Sequence, residues 1–480
     1  MQFPKPFPIH PAFCVGPHAH PPGKVSGGFL ESTKALPRVV PLPPFRPELC
    51  SRENGKMAIV GETSHRGEGR VADGRMTVTT GAPVHGGYAL ARPEGMGVLF
   101  VRFALPGEVV SVRLTGRKRG YAFAETVEVL SPSPHRVHPP CEVFGECGGC
   151  QLQHADYPYQ LEMKREILRE AFRRIGKRDV APEIGPPSEP FGYRHRGRFR
   201  VDGVAVGFHA SLSNRLVAIS RCPLMIGAIN AVLPGLRGLG RFAKVSEVQV
   251  ASDGARASAS FPGVPFGAEL VAHLSGRTGG VLSGARFEDR SWGEERITLP
   301  LEGISYSVSP GGFFQANWRM NQAMVRRIGA VLGGLGVSAE ARLLDLYAGA
   351  GNFALPLAAR VREVVAVEGE ARSFRELQGN VRENALGNVR IVRSSVETFR
   401  PEGRFDALVL DPPRAGLSER ALERVREIAA GNVLYVSCDP ATLARDVRSL
   451  ADRYDLAALE MHDFFPNTHH VEALAVLRSR

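Results

Sequence analysis

Strand-like and helix-like segments alternate from about residue 303 to the end of the chain, and this pattern limits the possible folds more than any other. Such alternation predicts an α/β domain built on a doubly wound parallel sheet. Within it, residues 343–358 have the pattern of a buried strand, a glycine turn and a helix. Gly349 and Gly351 in that turn would let the backbone approach a ligand closely. The C-terminal domain is therefore expected to bind a nucleotide-like molecule.

The glycine turn alone leaves two kinds of ligand open. Its sequence satisfies the G-x-G-x-x-A fingerprint of dinucleotide sites, so a nicotinamide-dependent dehydrogenase is one candidate. Two acids point to a methyl donor instead. Asp345, at the end of the first strand, could meet a charged methionine moiety, and Glu368, at the end of the second, could accept hydrogen bonds from ribose hydroxyls. The segments downstream favour the methyl donor, because a dehydrogenase has no use for them.

Changes of composition along the 480 residues predict four regions, since this length exceeds one compact core. Residues 1–70 are rich in proline and glycine and predict a disordered tail, in which Cys14 and Cys50 are incidental. Residues 75–131 contain short alternating strands and predict a small five-stranded, OB-like β-barrel. Residues 132–300 predict a mixed α+β central domain with a cysteine cluster and a basic amphipathic helix near residues 157–175. Residues 303–480 form the α/β domain.

The charge of the chain favours a polyanionic partner. The net charge is +11 and the isoelectric point about 9.5, and basic side chains displace counterions from phosphates. In residues 193–200 arginines alternate with aromatic or small residues, so a strand there would carry its basic side chains on one face. The barrel region also holds a basic stretch, Arg113, Arg117, Lys118 and Arg119. RNA binding is the expectation, and a merely basic surface is the alternative.

No apolar run reaches the roughly 18 residues needed to cross a bilayer, and the first residues lack the apolar core of a secretory signal. We therefore expect a cytoplasmic protein with no membrane partner. A monomer is the expected state.

Two segments near the C-terminus carry candidate catalytic groups. A strand ends in Asp411-Pro-Pro-Arg414, a turn often found where a methyl donor meets a base. A second strand ends at Cys438, and Asp439 and Pro440 begin a helix there as N-cap and first helical residue. The dipole of that helix should lower the pKa of the Cys438 thiol, although an inert buried cysteine is the alternative. His469 and His470 have no partner with metal-ligand spacing, so no metal is assigned to them.

These blocks, in this order, resemble the RNA 5-methyluridine (uracil-C5) methyltransferase family over about residues 75–480. The matching blocks are Phe313-Phe-Gln-Ala-Asn, Asp345-Leu-Tyr-Ala-Gly-Ala-Gly-Asn-Phe, Asp411-Pro-Pro-Arg-Ala-Gly, Ser437-Cys-Asp-Pro-Ala-Thr-Leu-Ala-Arg-Asp and Phe465-Pro-Asn-Thr-His-His-Val-Glu. The resemblance implies that S-adenosyl-L-methionine binds to Gln315, Tyr347, Gly349, Asn352, Glu368 and Asp411. It implies that Cys438 is the nucleophile and Glu472 the base. Ser395 departs from the amide or acid that some relatives have there, which leaves that cofactor contact open.

The chemistry implied by the resemblance needs these residue types. Carbon 5 of uracil is a poor nucleophile, and thiolate addition of Cys438 to carbon 6 would convert the ring into an enolate that can attack a methyl group. Glu472 would then remove the proton from carbon 5. The base would have to be flipped out of folded RNA to reach both groups.

Four cysteines, at positions 141, 147, 150 and 222, have the density of a metal site, and zinc and an iron–sulfur cluster are both compatible with four thiols. The C-x3-C-x2-C spacing of radical enzymes is absent. Residues 141–154 resemble the four-iron cluster site of the same family, so the resemblance implies that Cys141, Cys147, Cys150 and Cys222 bind a 4Fe-4S cluster. The role of that cluster is expected to be structural or RNA-positioning, because methyl transfer moves no net electrons.

The barrel, of the TRAM type by this resemblance, together with the cluster favours the branch of the family that acts on 23S ribosomal RNA. A transfer-RNA uridine-54 methyltransferase is the nearest alternative. A non-catalytic RNA-binding protein on the same scaffold is a more remote one.

Overall fold

The structure, a computed structural model, describes residues 74–242 and 245–480. The tail predicted at residues 1–70 lies outside the described residues. The described chain contains sheets of six, seven, two and eight strands. Within these ranges no helix combines the length and the apolar character required to span a bilayer.

The N-terminal region forms a six-stranded sheet in the order β1-β5-β6-β4-β3-β2. Successive side chains of each strand point to opposite faces of this sheet. In β4, Leu99 and Val101 are buried on one face, whereas Phe100 between them is half-buried on the other. The expected count of five strands is wrong, because the short strands β2 and β3 lie among glycines that conceal the alternation. The strands are β1 (Arg75–Thr79), β2 (Pro83–Val84), β3 (Tyr88–Ala91), β4 (Val98–Arg102), β5 (Val109–Lys118) and β6 (Tyr121–Ser131).

The central region begins with the loop that holds three of the cysteines and continues into a helix and a seven-stranded sheet, ordered β10-β9-β8-β11-β12-β13-β14. Helices α2 and α3 pack on this sheet around a core that includes Phe199, Val248 and Leu274. The elements are α1 (Tyr157–Ala171), β7 (Glu183–Ile184), β8 (Arg196–Asp202), β9 (Ala205–His209), β10 (Leu216–Ala218), α2 (Gly227–Leu236), β11 (Glu247–Ser252), β12 (Ala257–Ser260), α3 (Ala268–Arg277), β13 (Leu282–Arg286) and β14 (Ser291–Gly293).

A hairpin and a long helix lead into the C-terminal sheet. Strands and helices alternate in this region, as the sequence predicted. The eight strands are ordered β19-β18-β17-β20-β21-β23-β22-β7, and β17 to β21 are parallel. The elements are β15 (Ile297–Leu301), β16 (Ile304–Val308), α4 (Trp318–Gly334), β17 (Arg342–Leu346), α5 (Ala354–Leu357), β18 (Glu363–Glu368), α6 (Ala371–Glu383), β19 (Val389–Arg393), β20 (Ala407–Leu410), α7 (Glu419–Ile428), β21 (Asn432–Ser437), α8 (Pro440–Ser449), β22 (Tyr454–His462) and β23 (Glu472–Ser479).

Both faces of this sheet are buried, which is why its strands read as continuous apolar runs. Leu343 and Val364 belong to the core on one face, and Leu344 and Val365, their neighbours in sequence, belong to the core on the other. The parallel strands therefore end together at one edge of the sheet, where their loops can form a site.

One segment from the central region joins the C-terminal sheet. Strand β7 pairs with β22, with Ile184 beside Met461, and Leu168 and Phe172 at the end of α1 lie in the core of the same domain. Helix α1 is thus held against the C-terminal domain while the cysteine loop precedes it directly in the chain. This placement brings the central region to the site described next.

Candidate active site

The glycine turn after β17 contains three residues in left-handed conformations. These are Tyr347, Gly349 and Gly351, with φ of 64°, 57° and 99°. Glycine is required at position 351 for two reasons. Its φ is positive, and a Cβ there would lie 2.6 Å from Leu355 Cγ. At Tyr347 a non-glycine residue holds this conformation at a cost of about 1–3 kcal/mol, and such strain is concentrated at ligand sites.

Two acids support this turn. Asp345 is fully buried, and its Oδ2 accepts a hydrogen bond from Ala354 N at 2.9 Å, while Oδ1 has no partner among the described residues. Burial raises the pKa of Asp345 well above its usual range. Glu368 accepts hydrogen bonds from Gly349 N at 2.8 Å and from Glu370 N at 2.6 Å. Both carboxyl groups therefore fix the backbone of the turn.

Two other residues expected to contact the cofactor, Asn352 and Gln315, lie next to helix α4 in space or in sequence. Asn352 and Asn321 of α4 exchange two side-chain hydrogen bonds, at 2.7 and 2.9 Å. Gln315 lies half-buried just before this helix, two residues ahead of its N-cap Asn317. The Asn pair thus ties the helix that follows Gln315 to the glycine turn.

Cys438 and Glu472 meet through strand pairing. In the antiparallel pair of β21 and β23, Ser437 lies opposite Ala473, so the next residues outward, Cys438 and Glu472, lie side by side at the end of the sheet. The charge of Glu472 acts directly on the Cys438 thiol. Asp411, at the end of the neighbouring strand β20, completes the group.

The expectation that the helix dipole lowers the pKa of Cys438 is wrong for the free protein. Burial and the charge of Glu472 together raise the pKa of Cys438 to about 12, against the opposing effect of Arg414. Asp439 is indeed the N-cap of α8, but its carboxylate accepts hydrogen bonds from Ala441 N and Thr442 N. The cap therefore satisfies two of the donors of the helix and places a negative charge at its positive end.

The two carboxyl groups at the site also hold protons more tightly than usual. Burial, with the nearby Asp411, raises the pKa of Glu472 well above its ordinary value, against the opposing charges of Arg414 and Lys164. Desolvation raises the pKa of Asp411 to about 7. The site thus combines proton-holding side chains, buried or half-buried, with the exposed guanidinium of Arg414.

That guanidinium belongs to Arg414, whose role the sequence did not reveal. Its Nη2 lies 3.1 Å from Nδ1 of His470, and it is exposed at the surface of the site. The sequence did place Arg414 close to a predicted site residue, because Arg414 follows Asp411 in the acid-Pro-Pro-Arg block.

A buried ion pair behind the site was also missed. Lys164 of α1 contacts Asp463 at 2.7 Å, and both side chains are fully buried. Lys164 Nζ also donates to the Phe465 carbonyl at 3.0 Å. Burial lowers the pKa of Lys164, while Asp463 and Glu472 raise it. A lysine on the apolar face of an amphipathic helix was the available sign that a buried partner existed.

Residues 463–471 are here named the C-terminal loop. Side chains of α1 and of the segment before it hold this loop in place. Gln160 donates to Asn467 Oδ1 at 3.0 Å and accepts from Asn467 N at 2.7 Å. Gln151, next to Cys150, accepts a hydrogen bond from His469 N at 3.2 Å. The loop that ends at Glu472 is therefore anchored by residues from a much earlier part of the chain.

The four predicted cluster cysteines are brought together but do not form a preformed metal group. All four are half-buried free thiols. Burial is the largest cause that raises the pKa of Cys147 to about 11 and that of Cys150 to about 12, and the charges of the other cysteines contribute to both increases. Across residues 74–242 and 245–480, no set of three or more His, Cys, Asp or Glu side chains has the arrangement of a metal site.

Comparison with known proteins agrees with this geometry. Residues 287–480 match the family described as tRNA (Uracil-5-)-methyltransferase. The 23S rRNA (uracil(1939)-C(5))-methyltransferase RlmD of Alkalilimnicola ehrlichii is 36% identical over 425 residues, which cover 80% of this chain and 94% of that protein. An uncharacterized RNA methyltransferase of Gloeobacter violaceus is 32% identical, with 84% and 96% covered.

A solved structure with similar architecture is the Pyrococcus abyssi tRNA (uracil-54, C5)-methyltransferase in complex with S-adenosyl-L-homocysteine. It is 25% identical, with a TM-score of 0.69, and the match covers 83% of this chain and 99% of that one. These matches confirm the predicted family and remove the dehydrogenase alternative. The chain belongs to the RNA uracil-C5 methyltransferase family, in the branch that contains the 23S ribosomal RNA enzymes.

Proposed function

We propose that this chain transfers a methyl group from S-adenosyl-L-methionine to carbon 5 of a uridine in 23S ribosomal RNA, through a temporary bond between Cys438 and carbon 6. The observation that carries the proposal is the side-by-side placement of Cys438 and Glu472 by the pairing of β21 with β23. Within this family, a thiol beside a buried carboxyl group provides a nucleophile and a base at one point.

The high pKa of Cys438 restricts when it can react. Burial and Glu472 raise the pKa of the Cys438 thiol, so the protonated form is favoured at neutral pH in the protein without RNA. Arg414 is the group that favours the thiolate. Any movement of Arg414 toward the sulfur when RNA enters would therefore activate the nucleophile only in the complex.

The glycine turn is the proposed methyl-donor site. S-adenosyl-L-methionine would supply an electrophilic methyl group. Tyr347, Gly349 and Asn352 would line its site, with Glu368 and Gln315 at either side. Asp411 would lie where this site meets Cys438. The strained backbone at Tyr347 and the unpartnered oxygen of Asp345 support a ligand at this turn.

The six-stranded N-terminal sheet offers a face for single-stranded RNA. Tyr88, Phe100, Tyr121 and Phe123 form one half-buried aromatic patch, with Phe100 and Phe123 stacked at 5.4 Å between ring centroids. Lys118 Nζ lies 6.0 Å from the Tyr121 ring. Base–aromatic stacking contributes about 1–3 kcal/mol per base, so this patch suits unpaired nucleotides.

A groove of about 460 Å³ leads from that patch to the C-terminal loop. The groove is lined by residues from three parts of the chain: Tyr88 and Arg102 of the N-terminal sheet, Gln151 and Leu212 of the central region, and His469 of the C-terminal loop. Leu212 is 87% exposed. An RNA strand in this groove would touch Tyr88 of the aromatic patch and His469 of the C-terminal loop.

The four cysteines would hold a 4Fe-4S cluster in this proposal. Their chemistry fits, because the neighbouring thiols raise the pKa of Cys147 and of Cys150, and a bound cation would reverse that effect. Gly149 N also donates to Cys147 Sγ at 3.4 Å. Their present arrangement does not meet metal-site geometry, so binding would require the loop around Cys141–Cys150 to close. The cluster would then position Gln151 and, through it, the C-terminal loop.

Methylation mapping tests the function. The purified protein, S-adenosyl-L-methionine and unmodified transcripts of 23S ribosomal RNA or transfer RNA are incubated, and 5-methyluridine is located by mass spectrometry. We expect product in the ribosomal transcript. Product only at uridine 54 of transfer RNA would support the alternative suggested by the Pyrococcus structure, and no product in either would support a non-catalytic RNA-binding protein.

The covalent route has its own test. Glu472→Gln should stop the reaction after the sulfur has bonded to the ring, because the proton on carbon 5 is no longer removed. A protein–RNA band should then persist on a denaturing gel, and Cys438→Ala in the same background should abolish it. A band that survives without Cys438 would refute the covalent route.

A further inference from the structure

A second cavity, of about 880 Å³, lies in the central region and shares no lining residue with the groove described above. It is formed by the turn between β8 and β9, by the end of β10, by the segment after α2 and by α3. Its lining includes Val204, Ile219, Arg237, Arg241, His273 and Arg277.

Three arginines at this cavity lack acidic partners. Neither Arg237, Arg241 nor Arg277 has a carboxylate within 4.0 Å among the residues that the structure describes. In the same region, by contrast, Arg198 and Arg200 share Glu247, and Arg256 pairs with Glu294. Three uncompensated guanidinium groups around one cavity favour an anionic occupant.

A buried histidine holds one of these arginines in place. His273 Nδ1 lies 2.8 Å from Arg241 Nη2 and accepts its hydrogen bond, while His273 Nε2 donates to the Arg237 carbonyl at 3.1 Å. Both ring nitrogens are used, which fixes the neutral tautomer. The guanidinium also lies 4.8 Å from the centroid of the Phe242 ring. Arg241 is thus oriented before any ligand arrives, which reduces the entropy lost on binding.

The remaining wall is apolar and kept free of side chains. Gly240 N donates to the Gly203 carbonyl at 3.0 Å, and a Cβ on Gly240 would lie 2.4 Å from that oxygen. The two backbones can approach this closely only because residue 240 is glycine. Val204, which is 80% exposed, and Ala218 add apolar surface beside them. An apolar wall with a guanidinium rim fits a sugar or base together with its phosphate.

We propose that this arginine pocket binds a phosphate-bearing unpaired nucleotide of the RNA substrate, at a position in the strand other than the methylated uridine. The proposal rests on the proposed function in taking RNA as the ligand. The pocket would contribute affinity and register, because phosphate contacts position a strand without reading its sequence.

The test compares two double variants of the full-length protein. Arg237→Gln with Arg277→Gln removes two charges from the pocket, and Arg256→Gln with Arg290→Gln removes two charges from the same region outside it. Binding of an unmodified transcript of the 23S segment around uridine 1939 is measured without methyl donor, over a series of salt concentrations.

We expect the pocket variant to bind about tenfold more weakly than the control variant, with a salt slope smaller by roughly 0.7 for each phosphate that the protein no longer neutralises. Methylation at saturating RNA should keep its kcat while KM rises. Arg237→Lys with Arg277→Lys should restore most of the affinity, which separates an effect of charge from an effect of misfolding.

Equal affinity and equal salt slope in the two Gln variants would overturn the proposal. So would adenosine monophosphate binding that is lost in the pocket variant while RNA affinity is unchanged, since the pocket would then serve a free nucleotide. Because binding is measured without methyl donor, a failure of the proposed function appears separately, as wild-type protein that forms no 5-methyluridine.

Discussion

Cys438 and the four cysteines of the central region share one physical condition and differ in their neighbours. Burial is the main reason that the pKa is raised at Cys438 and also at Cys147 and Cys150. The titratable groups that act on the Cys438 thiol are chiefly a carboxyl group and a guanidinium, whereas those that act on Cys150 are other thiols. The surroundings of Cys438 suit proton transfer, and those of Cys150 suit shared binding of a cation.

Burial alone therefore does not distinguish a nucleophile from a ligand. Both sites disfavour the thiolate in the free protein. A different ligand would favour the thiolate at each site: RNA at Cys438 and a cation at the cluster cysteines. The two sites are also joined, because Gln151 beside Cys150 and Lys164 of α1 both hold the C-terminal loop that ends at Glu472.

The largest expected effect distinguishes the two kinds of thiol directly. Cys438→Ala should lower kcat by about 10⁴-fold or more, because no other group can bond to carbon 6. S-adenosyl-L-methionine affinity, measured by calorimetry, should stay within a factor of two or so, since the glycine turn is untouched. Cys222→Ala is the matched control in the other set, and equal losses of kcat from both variants would remove the distinction between nucleophile and ligand.

The next effect tests the connection between the sites. Lys164→Met leaves Asp463 buried without its cation, so we expect a loss of about 3–5 kcal/mol in the free energy of unfolding, measured with urea. Adding Asp463→Leu should recover part of that loss, because the uncompensated charge is then removed as well. A Lys164→Met protein as stable as wild type would show that the buried pair does not hold the loop.

A smaller effect concerns the cluster cysteines. Cys150→Ser should remove iron from anaerobically purified protein and lower methylation by about tenfold, through the loosened C-terminal loop rather than through the chemistry. Iron and sulfide analysis is the measurement, and Cys438→Ala should keep its full iron content. Wild-type protein that contains zinc, or no metal, with full activity would contradict the cluster.

The smallest effect is a pH dependence of stability. The raised pKa of Glu472 means that the folded protein keeps a proton that the unfolded chain releases above about pH 4.5, so stability is lost as the pH rises beyond that value. Glu472→Gln should therefore raise Tm by about 2 °C or more at pH 7.5, and the difference should vanish near pH 4.

Glu460 provides the opposite control for that measurement. Its burial is outweighed by hydrogen bonds from His462 and Arg327, and its pKa is lowered to about 2. Its contribution to stability is therefore present above about pH 4.5 and is lost as the pH falls toward 2. Glu460→Gln should lower Tm at pH 7.5, and equal shifts in the two variants would remove the assigned role of burial at Glu472.

Features that depend on neighbours along the chain could be predicted from the sequence alone. The parallel strand pattern, the glycine turn at Gly349 and Gly351, and the N-cap at Asp439 all follow from local spacing and capping, and the structure confirms them. The ordered blocks also identified the family, because each block preserves a local shape.

The environment of those groups, in contrast, was set by folding. The pairing of β21 with β23 placed Glu472 beside Cys438, and packing buried the thiol enough to outweigh the helix dipole. The fold also brought Lys164 to Asp463, 299 residues later in the chain. Desolvation and charge depend on every segment that packs around a group, and segments far apart in sequence meet only when the chain has folded.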